Sequence, residues 1–369
     1  MLHNRYRAEG GEERAVNGIE GLLRRRGHEV RRLERSSVDT SRAHAARGLL
    51  AGGVDSAQVG RSVREFGADV VHAHNLHPLF GWRALAAARA AGARTVLHLH
   101  NFRLFCAIAV AYRDGGPCFA CRGRDTRPGV RFRCRGTVGE AVVYAAGLAL
   151  QQPHIFDHVD HFVTVSHAAK ERLFGLGLPR DRVSTLVNCL EGDSFAPRSP
   201  AARGAYLLAS GRLVEEKGMD TAIAAARAAA APLIIAGSGP DRTRLERLAA
   251  GAEIRFTGRL PAGELAELRA GAAAALVPSR SEEACPYSAL EAMASGLPVL
   301  GSDLGALPEL IGRDSVLSPR AVGAWSQAVG ALWRDPAERE RRGRENLATA
   351  RSRFAEEGYY TALMRVYAS

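Results

Sequence analysis

Ala273-Ala274-Ala275-Leu276-Val277-Pro278-Ser279-Arg280-Ser281-Glu282-Glu283-Ala284-Cys285-Pro286-Tyr287-Ser288-Ala289-Leu290-Glu291-Ala292-Met293-Ala294-Ser295-Gly296-Leu297-Pro298-Val299 changes its grammar twice within 27 residues. An apolar run, Ala273–Val277, reads as a strand, and the polar stretch after it as a loop. Pro286 suits the first helical position, Gly296 suits the stop, and Pro298 opens the next strand. Strand, loop, helix and strand in that order make a βαβ unit, the building block of a parallel sheet. The spacing puts Glu283 on the loop and Glu291 about one turn inside the helix, so that both carboxylates are expected at the mouth of a site. Between them, the amides near Tyr287 and Ser288 offer an anion or hydroxyl site at a helix N-terminus. Taken alone, Glu283 as a helix cap and Glu291 as a solvated side chain explain the pair equally well.

Outward from this stretch the pattern repeats. In the second half, strands at about 205–209, 232–236, 253–257, 273–277 and 298–301 alternate with helices. In the first half, strand candidates are 29–33, 69–73, 95–99, 162–165 and 183–187. Helical stretches fall around 12–26, 56–66, 82–91, 137–151 and 167–174. The fold class is α/β, with two Rossmann-like βαβ domains. Their expected extents are 1–190, carrying a Cys-rich insertion at about 102–136, and 191–354; a last helix, 355–369, is expected to cross back to the first domain. Pro197 and Pro200 mark the joint. Ligands of open α/β sheets bind beyond the carboxyl ends of the strands, so the chemistry is expected in a cleft between the domains.

Gly211-Arg212-Leu213-Val214-Glu215-Glu216-Lys217-Gly218 follows the apolar run Tyr206–Ala209. The chain has 50 Lys+Arg, and only Lys170 and Lys217 are lysine. A planar fork and a mobile point charge on one Gly-bracketed turn make a natural diphosphate clamp, though two solvated cations would look the same. Gly237-Ser238-Gly239, after Ile234-Ile235-Ala236, lets backbone approach a ligand closely. It is too short for a dinucleotide fingerprint, because the third glycine position is Arg242.

Residues 1–190 hold 28 Lys+Arg against 17 Asp+Glu, whereas residues 191–369 hold 22 of each, so the whole net charge of +11 belongs to the first half. A basic half beside a neutral one suggests an anionic partner: a phospholipid surface or a lipid-linked acceptor. Nucleic acid is the weakest partner, since aromatic content is 6% and no helix-turn-helix, zinc-finger or RNA-recognition signature is present. No apolar run reaches bilayer length and the start lacks a signal-peptide pattern, which leads to the expectation of a cytoplasmic protein at the inner face of the membrane.

Together the turn Gly-Arg-Leu-x-x-x-Lys-Gly, the Gly237–Gly239 loop and Glu283-x7-Glu291 running into Leu290-Glu291-Ala292-Met293-Ala294-Ser295-Gly296-Leu297-Pro298-Val299 resemble the retaining glycosyltransferases of family 4, two-domain GT-B enzymes. The resemblance covers most of the chain: Gly10-Gly11-Glu12-Glu13-Arg14 looks like the family's glycine loop, an acceptor or phosphate loop, and His72-Ala73-His74 and His98-Leu99-His100-Asn101 look like its next strand ends. It implies a sugar moved from a nucleotide-diphosphate donor to an acceptor hydroxyl, in cell-surface polysaccharide or glycolipid synthesis, with no cofactor needed for catalysis. The acceptor would be an anionic lipid-linked molecule or a saccharide. Arg212 and Lys217 would hold the diphosphate and stabilise the leaving group, and Glu291 would accept from the ribose. Glu283, with the amides around Pro286–Ser288, would hold the sugar, and His100 would line its pocket; His74 reads as structural. Two departures stand out. Met1-Leu2-His3-Asn4-Arg5-Tyr6 leaves almost no room for the family's first strand, and Ala284-Cys285-Pro286 follows Glu283 where glycine is common. An epimerase of the same architecture and a non-catalytic binding relative are the alternatives.

Cys106-x11-Cys118-x2-Cys121-x12-Cys134 clusters four of the six cysteines in an Arg-rich insertion. In a cytosolic protein such a quartet suggests structural zinc more than disulfides, although the spacing holds one Cys-x2-Cys pair and not two; four unligated thiols are the alternative.

Overall fold

The computed structural model describes residues 1–6, 10–38 and 40–369. The chain divides into two compact units. One comprises Met1–Ala111, Cys118–Val187 and Tyr359–Ser369; the other comprises Tyr112–Pro117 and Asn188–Gly358. In chain order the strands are β1 (Leu2–Arg5), β2 (Leu33–Ser36), β3 (Val70–Ala73), β4 (Arg94–Leu99), β5 (Tyr112–Arg113), β6 (Gly116–Pro117), β7 (His161–Thr164), β8 (Val183–Thr185), β9 (Tyr206–Ser210), β10 (Leu233–Ala236), β11 (Ile254–Gly258), β12 (Ala272–Val277), β13 (Val299–Ser302) and β14 (Val316–Leu317).

The sheet of the first unit runs β2-β1-β3-β4-β7-β8, all parallel. The expected shortage at the start does not arise. Four residues suffice for β1, because Leu2 pairs with Leu33 on one side and Ala73 on the other. Beyond that pairing, Asn4 N donates to Asn75 O (2.8 Å) and His74 N to Leu2 O (3.0 Å), so the central strand's backbone is satisfied. The neighbour expected at 29–33 begins instead at Leu33, where pairing to Leu2 starts. One face of this sheet sends Leu2, Val71, Ala73, Leu97 and Leu99 into a core with Val59, Phe80, Leu85 and Phe105.

The second sheet runs β11-β10-β9-β12-β13-β14, also parallel. Counted within the unit this is the Rossmann order 3-2-1-4-5-6, which reverses direction between β9 and β12. All six residues of β12 are buried, as a central strand covered on both faces requires. The helix Tyr287–Ala294 that follows is buried nearly all round through Ala289, Leu290, Ala292 and Met293. It stops at Gly296, whose φ of +73° and the Leu297 N to Ala292 O bond (3.0 Å) close its carboxyl end. Pro286 is its cap, one position earlier than expected.

Candidate active site

At the point where the second sheet reverses, the loops after β9 and β12 leave adjacent strand ends, and backbone contacts tie them together. Arg280 N donates to Glu216 O (2.8 Å), and Gly218 lies so close to Pro278 that a Cβ there would stand 2.0 Å from its carbonyl oxygen. With φ at +64°, glycine is required at 218 on both counts. The loop after β10 joins the same cluster. Leu213 N donates to Ser238 O (2.9 Å), and a Cβ on Gly237 or Gly239 would overlap Gly211 O or Leu213 O.

This backbone scaffold brings Lys217 onto Glu283. The ammonium donates to Glu283 Oε1, and Ser279 Oγ donates to the same oxygen at 2.6 Å. Burial by itself would push Glu283 up; the Lys217 charge, the Ser279 hydroxyl and nearby Arg212 outweigh it and hold the carboxyl below the usual range. Arg212 is half exposed and leans on Glu216 at 3.4 Å. The predicted cations therefore share one loop cluster: Lys217 is spent on a carboxylate and Arg212 still faces solvent. Glu291 departs from expectation. It is 5% exposed and bonds Arg269 Nη1 at 3.3 Å, so its carboxylate is buried against a cation where an open one was expected. The amides of Ala289 and Leu290 turn back onto Pro286 O; those of Tyr287 and Ser288 precede the first intrahelical bonds. Three contributors were not foreseen: Ser279, Arg280, which bonds Asp220 at 2.8 Å, and the hairpin β5–β6. Asp114 and Gly115 turn that hairpin with positive φ at both positions, and Gly115 O accepts from Arg320 Nη2 at 2.9 Å. Burial beside Glu215 pushes the Tyr112 phenol up to about 12. A two-residue strand carries too little periodicity to be read in sequence, but Asp-Gly was a usable signal.

The first unit has a polar pocket of its own at the strand ends of β1, β3 and β4, where its strand order reverses. Tyr6, Glu12, His74, His77, His100, Asn101 and Arg103 line it. Asn101 Nδ2 donates to Glu12 Oε2 (2.7 Å) and Tyr6 Oη (3.2 Å). Burial, with Glu13 alongside, raises the Glu12 carboxyl to about 7. The amide of Gly10 is spent on Glu13 Oε2 (2.8 Å), a capping interaction, and Gly11 begins the helix Gly11–Arg25, so this loop's first amide is not presented to a phosphate. His100 lines the pocket as expected, and His74, read as structural, bonds it: His74 Nδ1 and His100 Nε2 are 3.0 Å apart. Burial keeps both imidazoles uncharged.

Cys106, Cys118, Cys121 and Cys134 are half-buried and none of them is in a disulfide. Burial pushes Cys121 up to about 11, and the other three thiols add to the shift, so the quartet shares one neighbourhood. Among the described residues, however, the set of three or more donors drawn close enough to share a metal ion is His72, His74 and His98, not the cysteines. Among the same residues, no helix is long and apolar enough to cross a membrane.

Two parallel Rossmann-like sheets, each with its polar cluster where the strand order reverses, put the chain in the GT-B class. Solved structures agree on the fold. Sucrose-phosphate synthase from Thermosynechococcus elongatus superposes with a TM-score of 0.74 at 16% identity, over 98% of this chain and 94% of that one. The Anabaena protein HepE in complex with UDP gives 0.68 at 15% identity, over 100% and 98%. Family models match in two adjoining blocks, Glycosyltransferase Family 4 over residues 9–191 and Glycosyl transferases group 1 over 204–335. The chain belongs to this glycosyltransferase family. Among curated relatives, a glycogen synthase of Mycobacterium tuberculosis is 34% identical over 56% of this chain and 54% of its own length. A GDP-mannose-dependent alpha-mannosyltransferase of Mycobacterium tuberculosis is 30% identical over 70% and 62%. The chain thus spans about half the length of the curated relatives it matches.

Proposed function

We propose that this protein is a retaining glycosyltransferase that moves a sugar from a nucleoside-diphosphate donor to an acceptor hydroxyl, in cell-surface polysaccharide or glycolipid synthesis. The observation that carries the reading is the Lys217–Glu283–Ser279 cluster at the reversal point of the second sheet, with Arg212 exposed beside it. Both charges needed for such a reaction are then preset. A diphosphate entering at the loop ends meets Arg212 and Lys217, which neutralise the charge that builds on the leaving group. Glu283, kept anionic, faces positive charge at the anomeric carbon, and the amides of Tyr287 and Ser288 donate to the sugar hydroxyls. Gly237 and Gly239 let the nucleotide lie against backbone, and Glu291, steadied by Arg269, accepts from the ribose. His100 contributes a sugar contact from its own pocket. No metal or organic cofactor takes part in the transfer.

The partners follow the same logic. The helix Val138–His158 leaves Val138, Val142 and Leu150 exposed, with Leu50 exposed on the helix Arg42–Ala51 that packs against it. Exposed Arg42, Arg47, Arg131 and Arg133 lie in the flanking segments. Such a mixture suits the anionic inner face of a membrane, where a lipid-linked acceptor would be met. The four insertion cysteines are proposed to hold structural zinc.

A donor screen that reads release of free nucleoside diphosphate, with and without candidate acceptors, tests the reading. Lys217→Ala should cost at least ~2 kcal/mol of transition-state stabilisation. Donor isomerised without any acceptor would identify an epimerase instead, and wild-type release by the variant would remove the clamp from the mechanism.

A further inference from the structure

We infer that His72, His74 and His98 form a binding site for one divalent transition-metal ion, zinc being the ion their chemistry fits best, on the buried face of the first unit's sheet. Side chains of a strand alternate between faces. Leu2, Val71, Ala73, Leu97 and Leu99 take the aliphatic face, so the positions between them, His3, His72, His74, His98 and His100, all fall on the other. A face that packing alone would fill with valine and leucine carries five imidazoles on three adjacent strands.

Three of them are arranged as ligands. One nitrogen of each lies within 4.8 Å of the others, and the residues are 2%, 3% and 1% exposed. His72 Nδ1 is engaged by Tyr367 Oη at 2.8 Å and His74 Nδ1 by His100 Nε2 at 3.0 Å, while Nε2 of each has no partner. His98 has a partner at neither nitrogen. Two of the three, His72 and His74, show the outer half of a ligand shell: one ring nitrogen is held by an outer group and the other is left for a metal. Burial keeps all three rings uncharged, so their lone pairs remain available. Ligand nitrogens of a tetrahedral zinc site stand about 3.3 Å apart, given bonds of about 2.0–2.1 Å. The nitrogens start within 4.8 Å of one another, with the His72 and His98 rings stacked 5.4 Å apart, so a metal would have to turn the rings as well as draw them together. Neutral imidazoles suit zinc, copper or nickel and not magnesium or calcium, which seek oxygen. Glu13, 3.7 Å from His3 on the same face, supplies nearby negative charge.

The site also bears on the proposed role of His100, and in this respect rests on that reading. Metal on His74 Nε2 leaves the proton on Nδ1, which then donates to His100 Nε2. His100 is thereby fixed with its remaining proton on Nδ1, free to donate to a sugar hydroxyl.

The test uses the full chain, stripped with chelator and titrated with Co²⁺ or Zn²⁺ in the absence of any sugar donor, so that its outcome is separate from that of the transferase reading. One equivalent should shift the imidazole nitrogen resonances of His72, His74 and His98, and cobalt should show tetrahedral visible bands that persist in Cys121→Ser. Tyr367→Phe keeps the ring and its packing but loses the outer hydrogen bond, and should weaken binding about 10- to 100-fold. His98→Gln should abolish it. Unmoved resonances would overturn the site, as would a cobalt spectrum of thiolate charge transfer alone that vanishes in Cys121→Ser and ignores both Tyr367→Phe and His98→Gln.

Discussion

Lys217→Met keeps the length and apolar stem of the side chain and deletes its charge. In the native cluster Glu283 Oε1 receives both the Lys217 ammonium and the Ser279 hydroxyl, and the lysine and glutamate side chains are 23% and 13% exposed. Breaking a fully buried ion pair by removing one partner costs about 3–5 kcal/mol. Water reaches part of this pair, so a folding loss of about 2–3 kcal/mol is expected. On activity, loss of a preorganised donor should cost at least ~2 kcal/mol, about thirtyfold in kcat/KM. The two effects separate by pH. Burial pushes Glu283 up but Lys217, Ser279 and Arg212 pull it further down, so its folded pKa lies below the unfolded value of 4.5. Its contribution to stability is therefore present above 4.5 and lost as pH falls through the folded pKa. Without Lys217 burial dominates and the sign reverses: stabilisation is then full below the unfolded pKa and lost as pH rises through the folded one. The stability gap between wild type and variant should widen from about pH 4 to about pH 7. Urea titrations across that range measure it, and Glu283→Gln in both backgrounds should return a coupling of about 1–3 kcal/mol. Turnover within about threefold of wild type, together with a coupling below about 0.5 kcal/mol, would refute the reasoning.

Gly218→Ala should lower stability by at least about 2 kcal/mol and weaken nucleoside-diphosphate binding, because the added Cβ would meet Pro278 O at 2.0 Å with φ at +64°; thermal melts and calorimetric titration check both. Glu12 has a folded pKa of about 7 against 4.5 unfolded, so its share of stability is full below 4.5 and lost as pH rises through about 7. Glu12→Gln should abolish that decline, about 3 kcal/mol at most, in urea melts at about pH 5 and about pH 8. Val142→Glu with Leu150→Glu should reduce co-sedimentation with anionic vesicles, and about 1 M salt should do the same to wild type by shortening the Debye length to about 3 Å; equal binding in all three would dispose of the membrane face.

What could be read from the residues was whatever repeats along the chain. The strands of both sheets announce themselves as apolar runs, and turns such as Gly211–Gly218 carry glycines because backbone passes within van der Waals contact of backbone. A reader of sequence can place Lys217 and Glu283 at two loop ends. That they meet depends on β9 and β12 being neighbours, a consequence of strand order, which no local pattern encodes. Glu291 shows the limit from the other side. One turn into a helix, its direction is set by which face the helix buries, and the apolar residues all around that helix gave no stripe from which to infer it. The first strand misled for a related reason, since four residues look too few until each edge is known to be paired. The histidines are the hardest case. Each of His72, His74, His98 and His100 can be explained alone as a strand-end residue, and alternation puts them on one face of their own strands. Only the parallel register, in which His72 stands opposite Val96 and Ala73 opposite Leu97, carries the two strands' sets into a single cluster. Burying five imidazoles there leaves nitrogens without partners, a cost that aliphatic side chains would have avoided. A ligand that satisfies those nitrogens removes the cost, so the arrangement that packing cannot explain is the one a bound cation would.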